Sequence, residues 1–112
     1  MIARGRFTAW LIYVFACAAM LALSTSARAQ DAPALYKTKC AACHGPDGKG
    51  ETTIGKANKL RDLGSADVQQ QSDTDLTAVI VNGKGKMPPY GKSLKSEQIK
   101  DLVGYIRSLA KK

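Results

Sequence analysis

Residues 40–45 read Cys40-Ala41-Ala42-Cys43-His44-Gly45, and the rest of the chain is organised around them. C-x-x-C-H is the attachment pattern of a c-type haem. One helical turn holds the two thiols about a porphyrin edge apart, so each is placed to add across a vinyl group. The next residue, His44, then points at the iron. Three other chemistries use the same residue types. A structural zinc site takes four ligands, and beyond residue 29 the chain offers only Cys40, Cys43 and His44 as Cys or His. A thioredoxin-like redox pair belongs in a βαβ context, which the sequence does not show. A plain disulfide leaves His44 without a task. Haem attachment accounts for all three residues.

The first 29 residues read as an export signal. Arg4 and Arg6 give a positive start, residues 8–23 form an uncharged and largely apolar run, and Ala27-Arg28-Ala29 supplies an A-x-A cleavage pattern. The expected organisation is a cleaved signal peptide at 1–29 and one functional domain at 30–112. An uncleaved anchor is the competing reading, but the run falls short of the roughly 20 residues that span a bilayer. Lipidation at Cys17 would put the bulky Phe15 just inside the cut. Trp10, the only tryptophan, would leave with the signal. Export leads to an oxidising compartment, where an idle cysteine pair tends to become a disulfide. The pattern therefore points to a bacterial periplasm or an equivalent lumen, with a maturation system that keeps the thiols reduced until haem is attached.

A domain of this size is marginal without a staple or cofactor. A buried haem would supply the apolar body for short helices to pack on, and the apoprotein is expected to be largely unfolded. The full chain carries a formal charge of +8, which loss of Arg4, Arg6 and Arg28 would lower by three. Nucleic acid is a poor fit in a periplasm, and no basic motif interleaved with aromatic residues appears. Two readings of the excess stay open: a solvated lysine-rich surface, or steering onto an acidic redox partner.

Asp31 is placed to cap a helix that starts at Ala32-Pro33 and runs into the cysteine motif, with Leu35 or Tyr36 facing inward. Pro46, Gly48 and Gly50 end it. Residues 51–63 show no convincing period and read as a loop around the haem edge. A backbone carbonyl within 53–56 is a candidate acceptor for the His44 Nδ1 hydrogen. Asn58 and Arg61 are candidates to reach a propionate, against exposed loop side chains as the plainer reading. Ser65 is expected to cap a short helix. Ser72 with Asp75 forms a capping pattern for another helix, whose Leu76, Val79 and Ile80 share a face before Asn82-Gly83 stops it.

Met87 is the only methionine after residue 29 and lies in Gly83-Lys84-Gly85-Lys86-Met87-Pro88-Pro89-Tyr90-Gly91. A lone methionine commonly fills a core. This stretch is too irregular for a packed helix face, however. Its glycines allow close backbone approach and its prolines remove local freedom. Such a segment suits a thioether held over iron. The last helix begins at Ser96, or at Lys95 with Gln98 in the third position. Its apolar stripe is Ile99, Leu102, Val103, Ile106 and Ala110. Gly104 is expected to permit a close crossing with the first helix, near Tyr105. No strand pattern or repeat appears.

With CAACHG at 40–45, VNGKGKMPPYG at 81–91 and LKSEQIKDLVGYIRSL at 94–109, the chain resembles a class I cytochrome c of the small soluble bacterial monohaem type. The resemblance spans nearly all of residues 30–112. It implies an all-α fold, three to five short helices around one covalently bound haem, with the first and last crossing. It further implies Cys40 and Cys43 as the thioether attachments, with His44 and Met87 as axial iron ligands. The implied function is one-electron transfer between larger redox complexes by a monomeric, non-enzymatic carrier. Lys84, Lys86 and Lys92, with Lys49 at the other edge, form a candidate ring for an acidic partner. Two alternatives remain: a displaceable Met87 serving ligand sensing or peroxidase-like chemistry, and a cytochrome subunit held permanently in a larger oxidoreductase.

Overall fold

The computed structural model describes residues 10, 12–14 and 31–110; apart from Trp10 and residues 12–14, the proposed signal and its cleavage site lie outside the described residues. Six helices follow from residue 31: α1 (Ala32–Lys39), α2 (Ala41–His44), α3 (Thr53–Ala57), α4 (Ala66–Gln69), α5 (Asp73–Asn82) and α6 (Ser96–Ser108). Among the described residues the only β feature is an isolated bridge between Lys84 and Met87. The all-α expectation holds. None of the helices is long and apolar enough to cross a membrane, among the described residues.

The first helix is nearly continuous through the cysteine motif. Cys40 departs from helical geometry at φ −118°, which separates α1 from α2, yet the Cys40 amide still donates to the Tyr36 carbonyl at 2.8 Å. Asp31 makes no side-chain cap; only its carbonyl is used, by the Leu35 amide at 3.0 Å. Both Leu35 and Tyr36 are buried, because consecutive residues at the α1–α6 crossing each meet a part of the core.

The core is one cluster: Leu35 and Tyr36 from α1, Val68 from α4, Leu76 and Ile80 from α5, Leu94, and Ile99, Leu102 and Val103 from α6. Leu102 is 1% exposed and Tyr36 2%, which marks the crossing of the first and last helices as its centre. The Tyr36 and Tyr105 rings meet there at 4.8 Å between centroids, tilted by 44°, a geometry that aromatic quadrupoles favour. Gly104 does not make this crossing close. A Cβ built there meets no atom within 4 Å, and the residue is exposed. Ile106 packs on the core edge, while Ala110 lies past the helix end.

Caps divide as follows. Ser72 accepts from the Asp75 amide at 3.0 Å and starts α5 as expected. Ser65 precedes α4, but its hydroxyl makes no cap bond and is buried without a partner. At α6 the residue before the helix is Lys95, whose amide donates to Gln98 Oε1 at 2.8 Å. Residues 51–63 are not wholly a loop, since Thr52 caps the helical turn α3, accepting from the Gly55 amide at 2.8 Å. Periodicity misses this turn because five residues are too few to show one.

Far from the motif, Arg107 near the end of α6 ties down the α4–α5 connection. Its guanidinium donates to the Gln69 carbonyl at 2.8 Å, the Gln71 carbonyl at 2.5 Å and the Asp73 carboxylate at 2.8 Å. Gln69 in turn donates to the carbonyls of Leu63 and Ile106.

Candidate haem site

A cavity of about 450 Å³ opens between these elements. Cys40, Cys43 and His44 line it from the first helical segment, Met87 and Pro88 from the 83–91 segment, and Leu76, Val79, Ile80, Leu102 and Ile106 from α5 and α6. The three motif residues and Met87 are thus brought to one apolar chamber. Asn58 and Arg61 also line it, so the segment after α3 serves the cavity and is not simply exposed loop.

His44 is held by its backbone. The peptide bond before it is anchored at both ends: the His44 amide donates to the Cys40 carbonyl at 3.0 Å, and the Cys43 carbonyl accepts from the Thr52 hydroxyl at 2.7 Å. The peptide bond after it is anchored likewise. The Gly45 amide donates to the Ala41 carbonyl at 2.9 Å, and the His44 carbonyl accepts from the Gly50 amide at 2.7 Å. Gly55 lets the segment press this close, since a Cβ there would overlap the Gly50 carbonyl and crowd that of Cys43. Tyr36 adds a buried bond from its hydroxyl to the Gly45 carbonyl at 2.7 Å.

The imidazole itself has a different status. Its Nδ1 is buried and has no hydrogen-bond partner, which corrects the expectation of a carbonyl acceptor within 53–56. The carbonyls of residues 54–56 are each engaged by a backbone amide. The Ile54 carbonyl takes the Asn58 amide, the Gly55 carbonyl takes that of Leu60 and the Lys56 carbonyl takes that of Lys59. Burial pushes the His44 pKa below its ordinary value, so the neutral ring, the form that ligates a metal, is favoured.

Both cysteines are free thiols. Burial, with Cys43 alongside, pushes Cys40 up to about 11. A reactive redox pair needs the opposite, a stabilised thiolate. Among the described residues no group of three or more His, Cys, Asp or Glu side chains is placed to hold a metal ion. A half-buried imidazole whose buried Nδ1 has no partner, two free thiols one turn apart and an apolar chamber fit a haem.

Met87 sits at the end of a tight turn. The Lys84 amide donates to the Met87 carbonyl at 3.2 Å and the Met87 amide to the Lys84 carbonyl at 3.0 Å, around Gly85 at φ +56°. Gly83 has φ +73°, and a Cβ there would press on the Met87 carbonyl. The exit is pinned to α5 by the Tyr90 amide on the Ile80 carbonyl and the Gly91 amide on the Val81 carbonyl. Among the described residues, the side chains with positive charge that line the cavity are Lys39, Arg61, Lys84 and Lys86, and no Asp or Glu lines it. Lys49 and Lys92 are exposed but outside this lining.

Thr52, Gly50 and Tyr90 have no site role in the sequence reading, and Gly55 enters it only as one of the candidate carbonyls within 53–56. Thr52 alone carried a local cue, a hydroxyl three residues ahead of the amide it caps.

The relatives agree with this geometry. Residues 27–106 match the family described as cytochrome c oxidase, cbb3-type, subunit III. The chain is similar to a cytochrome c6 of Gloeothece citriformis, 32% identical over 81 residues, which covers 70% of this chain and 68% of that one. It is also similar to the cbb3-type cytochrome c oxidase subunit CcoP of Rubrivivax gelatinosus, 38% identical over 95 residues, 81% of this chain but 30% of that subunit. Among solved structures, the KustC0563 c-type cytochrome superposes with a TM-score of 0.68 at 32% identity, covering 72% of this chain and 99% of that one. With the C-x-x-C-H turn facing the cavity and these likenesses across most of its length, the chain belongs to the cytochrome c family, and its cofactor is a covalently bound haem c.

Proposed function

We propose that this protein is an exported one-electron carrier, with Cys40 and Cys43 as the thioether attachments and His44 and Met87 as the axial ligands. The observation that carries the reading is a single apolar cavity lined at once by the cysteine motif and by Met87. The bound haem c supplies one-electron exchange between ferric and ferrous iron. The chain's residues do the rest. His44 enters the site neutral and on an immobilised backbone. Met87 offers a soft thioether that favours the ferrous state and raises the reduction potential. Asn58 and Arg61, which line the cavity, would be candidates to meet the propionates. If His44 and Met87 both ligate the iron, no coordination site is left open to a substrate, which fits a carrier and not an enzyme.

The cationic lining of Lys39, Arg61, Lys84 and Lys86, around an exposed Ile54, suits transient docking on an acidic redox protein. In the same proposal residues 1–29 are removed on export to a periplasm, and residues 30–112 act as a monomer.

The likeness to CcoP over most of this chain favours a second reading, a cytochrome subunit held in a larger oxidoreductase. Co-migration with a membrane complex after mild solubilisation would support the subunit. A free protein beginning at Gln30 would support the carrier.

The first experiment is the optical spectrum of the ferrous protein with and without carbon monoxide. A low-spin spectrum unchanged by the gas, together with gas binding by Met87→Ala, is the expected result. Ready binding by the unaltered protein would remove Met87 from the iron and bring gas sensing or peroxidase-like chemistry forward.

A further inference from the structure

All four backbone polar groups flanking the His44 Cα are engaged, while the ring's buried Nδ1 has no partner. Ligating histidines ordinarily have their orientation set by a hydrogen bond from the second ring nitrogen. In this chain the backbone on both sides of the ring is also anchored, so the backbone contributes to the ring's orientation. Three of the four anchors are main-chain groups, those of Cys40, Ala41 and Gly50. The fourth is a side chain, the Thr52 hydroxyl on the Cys43 carbonyl at 2.7 Å.

We infer that Thr52 is a positioning residue for the axial imidazole, acting through the Cys43–His44 peptide plane; the inference rests on the His44 ligation proposed above. The hydroxyl works in two directions. It donates to the Cys43 carbonyl and accepts from the Gly55 amide at 2.8 Å. One oxygen thereby couples the second thioether residue to the start of α3, the helix that carries the cavity-lining Ile54. The threonine methyl restricts χ1 and holds the hydroxyl in place. Without the hydroxyl the Cys43 carbonyl loses this bond, and the peptide plane before His44 is held from its amide end alone. The ring then samples more orientations over the haem.

The test uses the ferric haem-loaded protein. The spread of the hyperfine-shifted haem methyl resonances and the His44 ring signals follow the orientation of the axial imidazole, and the reduction potential is measured alongside. Thr52→Val is expected to change the methyl spread and the potential, and Thr52→Ser to restore both. Ser72→Ala removes a similar cap bond at α5, at a residue that makes no bond to the His44 segment and does not itself line the cavity, and is expected to lower Tm without moving either readout. The inference is overturned if Thr52→Val lowers Tm while the resonances and potential match the unaltered protein. Thr52→Ala removes the same hydroxyl without setting a methyl against the carbonyl, and is read by the same criteria if the valine variant does not load haem. Failure of His44 ligation is separately visible, as absence of its ring signals from the hyperfine region of the unaltered protein.

Discussion

The Tyr90 hydroxyl donates to the Lys39 carbonyl at 3.1 Å, joining residues 51 apart in sequence. Lys39 is the last residue of α1 and immediately precedes Cys40, while Tyr90 ends the segment that carries Met87. The bond therefore links the two walls of the cavity directly. Tyr90→Phe is expected to cost about 0.5–1.5 kcal/mol, the net worth of one neutral hydrogen bond. The more specific expectation is easier displacement of Met87, measured as faster carbon monoxide binding to the ferrous variant. An unchanged rate would mean that the pins on Ile80 and Val81 hold the methionine segment without help.

Tyr36 gives the fold an alkaline limit. Burial first, then the neighbouring Cys40, raises its pKa well above the ordinary tyrosine value. Its neutral hydroxyl is the donor to the Gly45 carbonyl. The unfolded chain releases this proton near pH 10, while the folded chain retains it. The contribution is complete below pH 10 and is lost progressively above it. Tyr36→Phe is expected to be less stable at neutral pH by about 1–2 kcal/mol but to lose less stability between neutral pH and pH 11. Parallel denaturant midpoints for the two proteins across that range would refute the assignment.

The two serine caps separate what sequence suggests from what the hydroxyl does. Ser72→Ala removes a formed cap and is expected to cost about 1 kcal/mol. Ser65→Ala deletes a buried hydroxyl that bonds nothing, and is expected to be neutral or slightly stabilising. Denaturant midpoints of the two variants check the order.

Two glycines should respond oppositely to alanine. At Gly104, exposed within α6 with open space around its Cβ, alanine is expected to stabilise by up to about 1 kcal/mol through helix propensity. At Gly55, a Cβ would overlap the Gly50 carbonyl, so alanine must displace the segment that braces His44. Gly55→Ala is expected to reduce haem loading in the recovered protein, read as haem absorbance per polypeptide.

The Arg107 clamp depends on the planar fork of the guanidinium, which reaches two carbonyls and a carboxylate together. Arg107→Lys is expected to cost about 2 kcal/mol, because one ammonium cannot replace charge-assisted bonds in three directions. If most of the contribution were the ion pair with exposed Asp73, Asp73→Ala would cost as much; it is expected to cost under about 1 kcal/mol.

The local features are legible without a fold. C-x-x-C-H, the glycines and prolines around Met87, the Ser72 cap and the stripe from Ile99 to Val103 are each written within a few neighbouring residues. Their chemistry or spacing is therefore visible without a fold. That Met87 shares a cavity with the cysteine motif was anticipated on such grounds, and the structure brings them together.

The tertiary structure alone decided how the site is braced. The bonds from Thr52 to Cys43, Gly50 to His44, Tyr36 to Gly45 and Tyr90 to Lys39 follow no period, because any hydroxyl or amide can meet any carbonyl once the chain is compact. The misjudged points share that cause. The small size of Gly104 suggests the helix crossing, yet contact depends on which way the helix is rotated. The His44 Nδ1 meets no carbonyl of residues 53–56, where the chain forms a helical turn stabilised by its cap and by the packing of Gly55 against Gly50. Local pattern names the groups that meet the cofactor, and long-range packing decides how firmly each is held.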